Sequence, residues 1–313
     1  MTKKNFLYFK NINFHKKNLF EIKSTYNVFS VNSLREVTNL HEKTKDKIEI
    51  IYCDPLYHYS KFFLQQFKKL KFLASSTTST EFIDVNYCKK KKIKIISLEN
   101  EQKFLSSISS TAEHTFGLIL LVTRKYIPSI NSIENFKFNR RPYGGYKMLS
   151  KMCIGIIGYG RLGKLVKKIA SGFSMKTISC DIKEKNYKEK LKKIKKYSDI
   201  ISLHIPSKKN TNFFSNKVFK DLKKPFYLIN TSRGNIVDEK FILRLLKSRK
   251  ILGYATDVLN KEFNSNFKIK ENLIFKNRKK YNIVITPHIG GSTIDAWQLT
   301  ENRVIKKLIK NFK

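Results

Sequence analysis

Short apolar runs alternate along the chain with longer stretches in which apolar and polar residues mix. In the first hundred residues the runs at 6–9, 26–30, 48–53, 71–75 and 92–97 are β-rich, and helix-like segments lie near 32–43, 59–70 and 80–90. Short apolar runs spaced by helical patterns predict βαβ units and a parallel sheet. A longer helical stretch follows at 111–129, with Phe116, Ile119 and Leu120 on one stripe and Pro128 as its stop. It is expected to connect two domains. From Met152 the alternation restarts, with strands predicted at 152–157, 176–181, 199–205, 226–230, 251–256 and 283–286. Helices are predicted near 161–172, 187–197, 216–222 and 238–248, and a last one at 292–312. Six strands with intervening helices suit a doubly wound domain, and no repeat of solenoid period is present.

Composition sets bounds on this picture. A chain of 313 residues with 41% hydrophobic content has room for two domains with cores of their own. The longest apolar stretch, FGLILLV at 116–122, is far too short to cross a bilayer. The N-terminus shows no apolar segment of signal-peptide type, so a cytoplasmic location is expected and no membrane partner. Cys53, Cys88, Cys153 and Cys180 are widely spaced, and each reads as a small buried residue in a reducing compartment. No disulfide or metal framework is expected.

A formal net charge of +40 raises the question of nucleic acid. Of the 64 basic residues only ten are Arg, the side chain suited to bidentate recognition of phosphates and guanine edges. The lysines spread through nearly every segment instead of forming a stripe, and the runs at 89–94, 188–196 and 276–280 read as solvated surface. The charge itself supports a nucleic-acid partner only weakly, and the scarcity of Arg and the scatter of Lys argue against one. It is suited to raising the arrival rate of an anionic ligand.

Glycine placement is more informative. All twelve glycines lie at or after Gly117, and three of them form GYGRLG at 158–163, between a strand-like run and a helix-like one. In that setting Gly158 permits the turn, Gly160 lets a pyrophosphate approach the backbone, and Gly163 allows close helix–strand packing. Arg161 and Leu162 open the helix, whose free N–H groups and positive dipole end favour phosphate. Asp181 closes the next strand about twenty residues on, where a carboxylate accepts hydrogen bonds from ribose hydroxyls and repels a 2′-phosphate. NAD is the expected cofactor, with Lys183 softening the discrimination against NADP.

Three further segments follow in order: NTSRG at 230–234, DVLNKE at 257–262 and TPHIGG at 286–291. Arg233 follows a strand at the carboxyl edge of the sheet, and a guanidinium there suits a carboxylate and its adjacent carbonyl. His288 follows another strand on a glycine-flanked turn, and an imidazole suits exchange of a hydroxyl proton. Glu262 is placed to hydrogen-bond that ring, fix its tautomer and favour its charged form.

The four motifs together resemble the D-isomer-specific 2-hydroxyacid dehydrogenases, from about Lys71 onward and most strongly from Lys151 to Ser292. The resemblance implies an NAD-dependent enzyme that interconverts a D-2-hydroxy acid and its 2-keto acid. It implies two Rossmann-like/flavodoxin-like doubly wound parallel-sheet domains with a cleft between them. Residues 1–103 and 289–313 are expected to form the substrate-binding domain and 104–288 the NAD-binding domain. The implied catalytic residues are Arg233, Glu262 and His288. Cofactor contacts are expected from Gly158, Gly160, Arg161, Leu162, Gly163, Asp181, His204, Pro206, Thr211, Thr231, Ser232, Arg233, Asp257, His288, Gly290 and Gly291. Substrate contacts are expected from Thr78, Ser79, Arg233 and His288. The helix beginning TAEHTFG at 111 looks like the family's connecting helix and implies a homodimer.

Three departures from the family pattern stand out. Ser79 occupies a loop position, within SSTTSTEFID at 75–84, where glycine is common; Phe263 replaces the proline after the carboxylate; and Phe136 stands where a Trp is usual, as a packing change. The rival reading is an NAD-binding regulatory or nucleic-acid-associated protein on the same fold with little turnover. The intact Arg-Glu-His set argues against it.

Overall fold

Two separate parallel sheets organise the chain in this computed structural model, which describes residues 3–264 and 266–311. One unit comprises Ile108–Glu262 and Phe267–Ser292; the chain up to Ser107 and the segment from Thr293 belong to the other.

In the first unit the strands β1 (Asn5–Phe9), β2 (Asn27–Val31), β3 (Ile50–Tyr52), β4 (Phe72–Ala74) and β5 (Lys94–Ile96) take the order β2-β1-β3-β4-β5. The pleat sends Leu7 and Phe9 to one face, where they pack with Ile51, Leu73, Val37, Phe63 and Cys88. Phe6, from the alternate register, stacks on Tyr26 at 5.3 Å, and Phe14 meets Tyr52 edge-on at 4.8 Å. Helix Ile294–Lys310 buries Ala296, Thr300, Glu301, Val304, Ile305 and Leu308, a stripe of helical period, and packs against helix Lys16–Thr25. The helical expectations here were too long. The stretch 32–43 divides into Leu34–Asn39 and Glu42–Lys45, because the His41 ring accepts the Lys43 N–H and starts a new helix. Of 59–70 only Lys61–Leu64 is helical.

In the second unit β6 (Cys153–Ile157), β7 (Lys176–Cys180), β8 (Ile200–Leu203), β9 (Phe226–Asn230), β10 (Ile251–Thr256) and β11 (Ile283–Ile285) take the order β11-β10-β9-β8-β6-β7. Both faces are covered, which explains the near-continuous apolar runs. Ile154, Ile156, Ile229 and Ala255 face helices Ser110–Thr123 and Arg161–Gly172. Ile201, Leu203, Leu228 and Tyr254 form the other face, with Leu191 and Ile194 of helix Tyr187–Tyr197 and Phe241 and Ile242 of helix Glu239–Lys247. Each fully buried Ile or Phe contributes about 1.5–3 kcal/mol. The chain leaves β7 and crosses to the far side of β6, which puts the reversal of strand order beside the glycine turn.

The stretch expected to connect domains is instead part of this second core. Ala112, Phe116, Ile119 and Val122 of helix Ser110–Thr123 are buried against the sheet. Nor does Pro128 stop it. The helix ends at Arg124, Lys125 turns left-handed at φ 52°, and a new helix, Tyr126–Glu134, holds Pro128 in its first turn. A proline's missing N–H costs nothing there, since first-turn amides lack an intrahelical acceptor. All four cysteines are free, with Cys153 partly exposed and the other three buried. Among the described residues no helix is long and apolar enough to cross a membrane.

Candidate active site

The carboxyl edge of the second sheet collects the motifs. Gly158 follows β6, Asp181 follows β7, His204 follows β8, and Asn230, Thr256 and Ile285 end β9, β10 and β11. This is where open α/β sheets bind ligands.

The glycine turn is built by exclusion. Gly158 has φ +94°, and a Cβ on it would lie 2.3 Å from the His204 carbonyl oxygen. A Cβ on Gly163 would lie 2.1 Å from the Gly158 oxygen. At Gly160 the protein needs no such economy: a Cβ there would meet no heavy atom within 4 Å. Gly160 also caps helix Arg161–Gly172 without a side-chain hydrogen bond, which leaves the first-turn amides to an outside acceptor. A pyrophosphate fits that opening. Asp181 closes the turn from the side, its Oδ2 accepting the Tyr159 N–H at 2.9 Å and its Oδ1 the Lys183 N–H at 3.0 Å. Each oxygen keeps a lone pair for a ribose hydroxyl.

Other expected contacts divide between the interior and the surface. Arg161 Nη1 donates to the Ile108 carbonyl at 3.1 Å. Leu162 is half-buried in the first turn of the helix. The His204 ring meets Ser202 Oγ at 2.8 Å, and burial pushes its pKa down to about 4. Pro206 and Thr211 are exposed on the loop after β8. Thr231 Oγ1 lies 2.9 Å from Thr115 Oγ1, and the Ser232 hydroxyl donates to the Leu203 carbonyl. These hydroxyls hold the loop.

Arg233 owes its position to two residues whose role sequence reasoning did not single out. Buried Asn230 folds the turn on itself, with Oδ1 accepting the Ser232 N–H at 3.1 Å and Nδ2 donating to the Arg233 carbonyl at 2.9 Å. Gly234 lies against the loop that carries Glu262: a Cβ on it would fall 2.0 Å from the Leu259 carbonyl carbon. The Leu259 N–H in turn donates to Glu262 Oε2 at 2.9 Å. The Arg233 segment and the Glu262 segment are therefore in backbone contact.

Glu262 and His288 meet as expected, with Oε1 and Nδ1 2.8 Å apart. Since Glu262 accepts, Nδ1 carries the hydrogen of this bond, which fixes the tautomer and orientation of the ring. The Glu262 side chain is 16% exposed and that of His288 37%. His288 adopts a left-handed backbone, φ 56°, rare for a residue with a side chain. Asp257 lies beneath the turn, 2% exposed. It accepts the Ile289 N–H at 2.8 Å, the Gly290 N–H at 2.7 Å and the Thr286 hydroxyl at 2.6 Å. Burial alone would raise its pKa; hydrogen bonds from His114, Thr286 and the two amides outweigh that and hold it below the ordinary carboxylate value. A Cβ on Gly291, next along, would lie 3.9 Å from Thr111 Oγ1.

Thr78 and Ser79 lie in the first unit. Their loop needs no glycine, because none of its residues has a positive φ. Hydroxyls shape it instead: Ser75 Oγ is 3.0 Å from Thr77 Oγ1, which donates to the Ser79 carbonyl at 2.7 Å. Phe136 is not packed as expected. It sits in a left-handed position just past a helix end and is 99% exposed.

A glycine turn open to a dinucleotide, beside an Arg, Glu and His set at one sheet edge, defines a nicotinamide-dependent oxidoreductase of hydroxy acids. Residues 116–290 match the model of the D-isomer specific 2-hydroxyacid dehydrogenase NAD-binding domain. Glycerate dehydrogenase of Methylorubrum extorquens is 29% identical over 248 residues, 77% of this chain and 76% of that protein. Glyoxylate reductase of Thermococcus litoralis is 30% identical over 295 residues, 88% of this chain and 81% of that protein. Among solved structures, D-lactate dehydrogenase from Aquifex aeolicus, complexed with NAD and lactic acid, superposes with a TM-score of 0.78. It is 25% identical, covering 99% of this chain and 95% of that one. The chain belongs to the D-isomer-specific 2-hydroxyacid dehydrogenase family. It is an NAD-dependent enzyme of that family.

Proposed function

We propose that the enzyme reduces a small 2-keto acid, of the glyoxylate or hydroxypyruvate kind, to its D-2-hydroxy acid, with Arg233, Glu262 and His288 as its working residues. Bound nicotinamide cofactor supplies the hydride to the substrate's C2, or accepts it in the reverse direction. Arg233 holds the substrate carboxylate through a bidentate ion pair and polarises the adjacent carbonyl. His288 donates a proton from Nε2 to the carbonyl oxygen, and Glu262 stabilises the ring while it carries two protons. Gly158, Gly160 and Gly163 with the amides after them would hold the pyrophosphate, and Asp181 would hold the adenosine ribose. The observation that carries this reading is the 2.8 Å bond between Glu262 Oε1 and His288 Nδ1, which supports an imidazole oriented by a carboxylate for proton exchange. Relatives that include a glycerate dehydrogenase and a glyoxylate reductase support a small acid of two or three carbons as the substrate. The test is oxidation of NADH, and separately NADPH, by glyoxylate, hydroxypyruvate, 3-phosphohydroxypyruvate and pyruvate. Turnover with at least one acid and a preference for NADH is expected; silence across the panel would sink the reading.

The same reading includes a homodimer in the cytoplasm. Ile127, Ile130 and Ile133 of one helix are 43–55% exposed, and Phe136, Phe138 and Met148 beyond it are 67–99% exposed. An apolar run of that size on one segment fits a surface covered by a second copy. Light scattering should give twice the chain mass, and Ile130→Lys with Phe136→Lys should return it to one.

A further inference from the structure

We propose that His114 is a positioning residue that locks the turn bearing His288 to the rigid helix Ser110–Thr123; this rests on His288 as the proton carrier. The left-handed backbone at His288 is a conformation that persists only where the surroundings impose it. What imposes it can be followed atom by atom. The His288 N–H donates to the carbonyls of Asp257, at 2.9 Å, and Thr286, at 3.0 Å. The Asp257 carboxylate gathers the two amides that follow and the Thr286 hydroxyl. That hydroxyl has spent its proton on Asp257, so its next neighbour must be a donor. The neighbour is His114, with Nε2 3.0 Å from Thr286 Oγ1 and 3.3 Å from Asp257 Oδ1. Both partners are left only with acceptor capacity, which fixes the hydrogen on Nε2. A neutral ring suffices for this role.

His114 is well placed to act as an anchor. Ala112, Thr115 and Phe116 around it are buried in the second core, so its backbone has no freedom of its own. The turn lies directly on this helix: a Cβ on Gly290 would be 3.3 Å from Thr111 Cγ2 and 3.6 Å from His114 Cδ2. The next residue along the helix, Thr115, holds the Arg233 segment through Thr231. Adjacent residues of one helix thus steady both the anion clamp and the proton carrier. Loss of the Nε2 donor removes the link between helix and turn, while leaving Glu262 and the glycine turn untouched.

The test uses the full chain and three readouts: steady-state turnover of the best 2-keto acid, NADH affinity by fluorescence, and the imidazole nitrogen NMR signals of His288 in the cofactor-free enzyme. Those signals are assigned by their loss in His288→Ala. His114→Leu is expected to lower kcat by about 10- to 100-fold. It should shift the His288 signals and change the NADH Kd by less than about threefold, since the phosphate-binding turn is elsewhere. His114→Gln, whose amide nitrogen reaches the same place, should restore both kcat and the signals. Thr286→Val breaks the chain from its other side and serves if His114→Leu does not fold. Unshifted His288 signals in His114→Leu and Thr286→Val, with wild-type kcat, overturn the proposal. Turnover by His288→Ala would instead overturn the proton-carrier reading, and the NMR signals would still decide whether His114 orders the turn.

Discussion

The two units repeat one strand order at their start, with the first strand between the second and third, yet they use their backbones differently. All twelve glycines lie in the second unit and none in the first. In the second, Gly158, Gly163 and Gly234 each permit a backbone approach that a Cβ would block. In the first, the loop after β4 is shaped by serine and threonine hydroxyls. A common topology thus supports one sheet edge built on close backbone approach and another finished with polar side chains. Two buried carboxylates extend the contrast. Asp257, in the second unit, has four donors around it and a lowered pKa. Glu301, in the first, is 4% exposed; burial raises its pKa, and hydrogen bonds from Asn18 and the His15 N–H offset this only in part. Equal burial gives opposite shifts because donor number decides.

The largest expected effect tests which edge does the chemistry. His288→Ala or Arg233→Ala should each lower kcat/KM by about a thousandfold or more, equivalent to about 4 kcal/mol. Near-normal turnover in either would end the assignment. Next come the glycines. Gly163→Ala and Gly234→Ala, which drive a methyl into backbone, should each cost about 3 kcal/mol and roughly 6–12 °C in Tm. Gly160→Ala meets open space, so it should cost no more than about 1 kcal/mol of stability while weakening NADH binding about tenfold or more. Equal Tm losses at all three would erase the distinction between packing and ligand glycines.

The smaller effects concern pH. Asp257 titrates lower in the fold than in the unfolded chain, so its contribution is present above about pH 4 and is lost as pH falls through the folded value. Asp257→Asn should therefore destabilise at neutral pH by about 2 kcal/mol, with the deficit shrinking in acid. Glu301 has the opposite sign. Its raised pKa makes the charged form a burden at neutral pH, relieved as pH falls through the folded value. Glu301→Gln should be neutral to stabilising at pH 7, with any gain vanishing toward pH 4. Chemical denaturation across pH separates the two.

Much of the second unit is legible in the amino-acid order. The strands at 226–230 and 251–256 and the helices at 161–172 and 187–197 fall where the apolar periodicity puts them. The pairing of Glu262 with His288 was implied by the resemblance of their motifs to the family's, and the two side chains meet. Other features were not legible for identifiable reasons. Pro128 reads locally as a stop, and only the left-handed turn at Lys125 makes it a first-turn residue. The stripe on helix Ser110–Thr123 shows that it packs but not against which sheet.

By itself, the chain order determined the alternation of strands and helices, the glycine turn and the motifs that carry Arg233, Glu262 and His288, because these depend on neighbours a few positions apart. The tertiary structure alone decided that Asn230 folds the Arg233 turn, that Gly234 rests on the Glu262 loop and that His114 reaches Thr286 across 172 positions. Hydrogen bonds act within about 3 Å, and no local pattern records which distant segments the sheet brings that close.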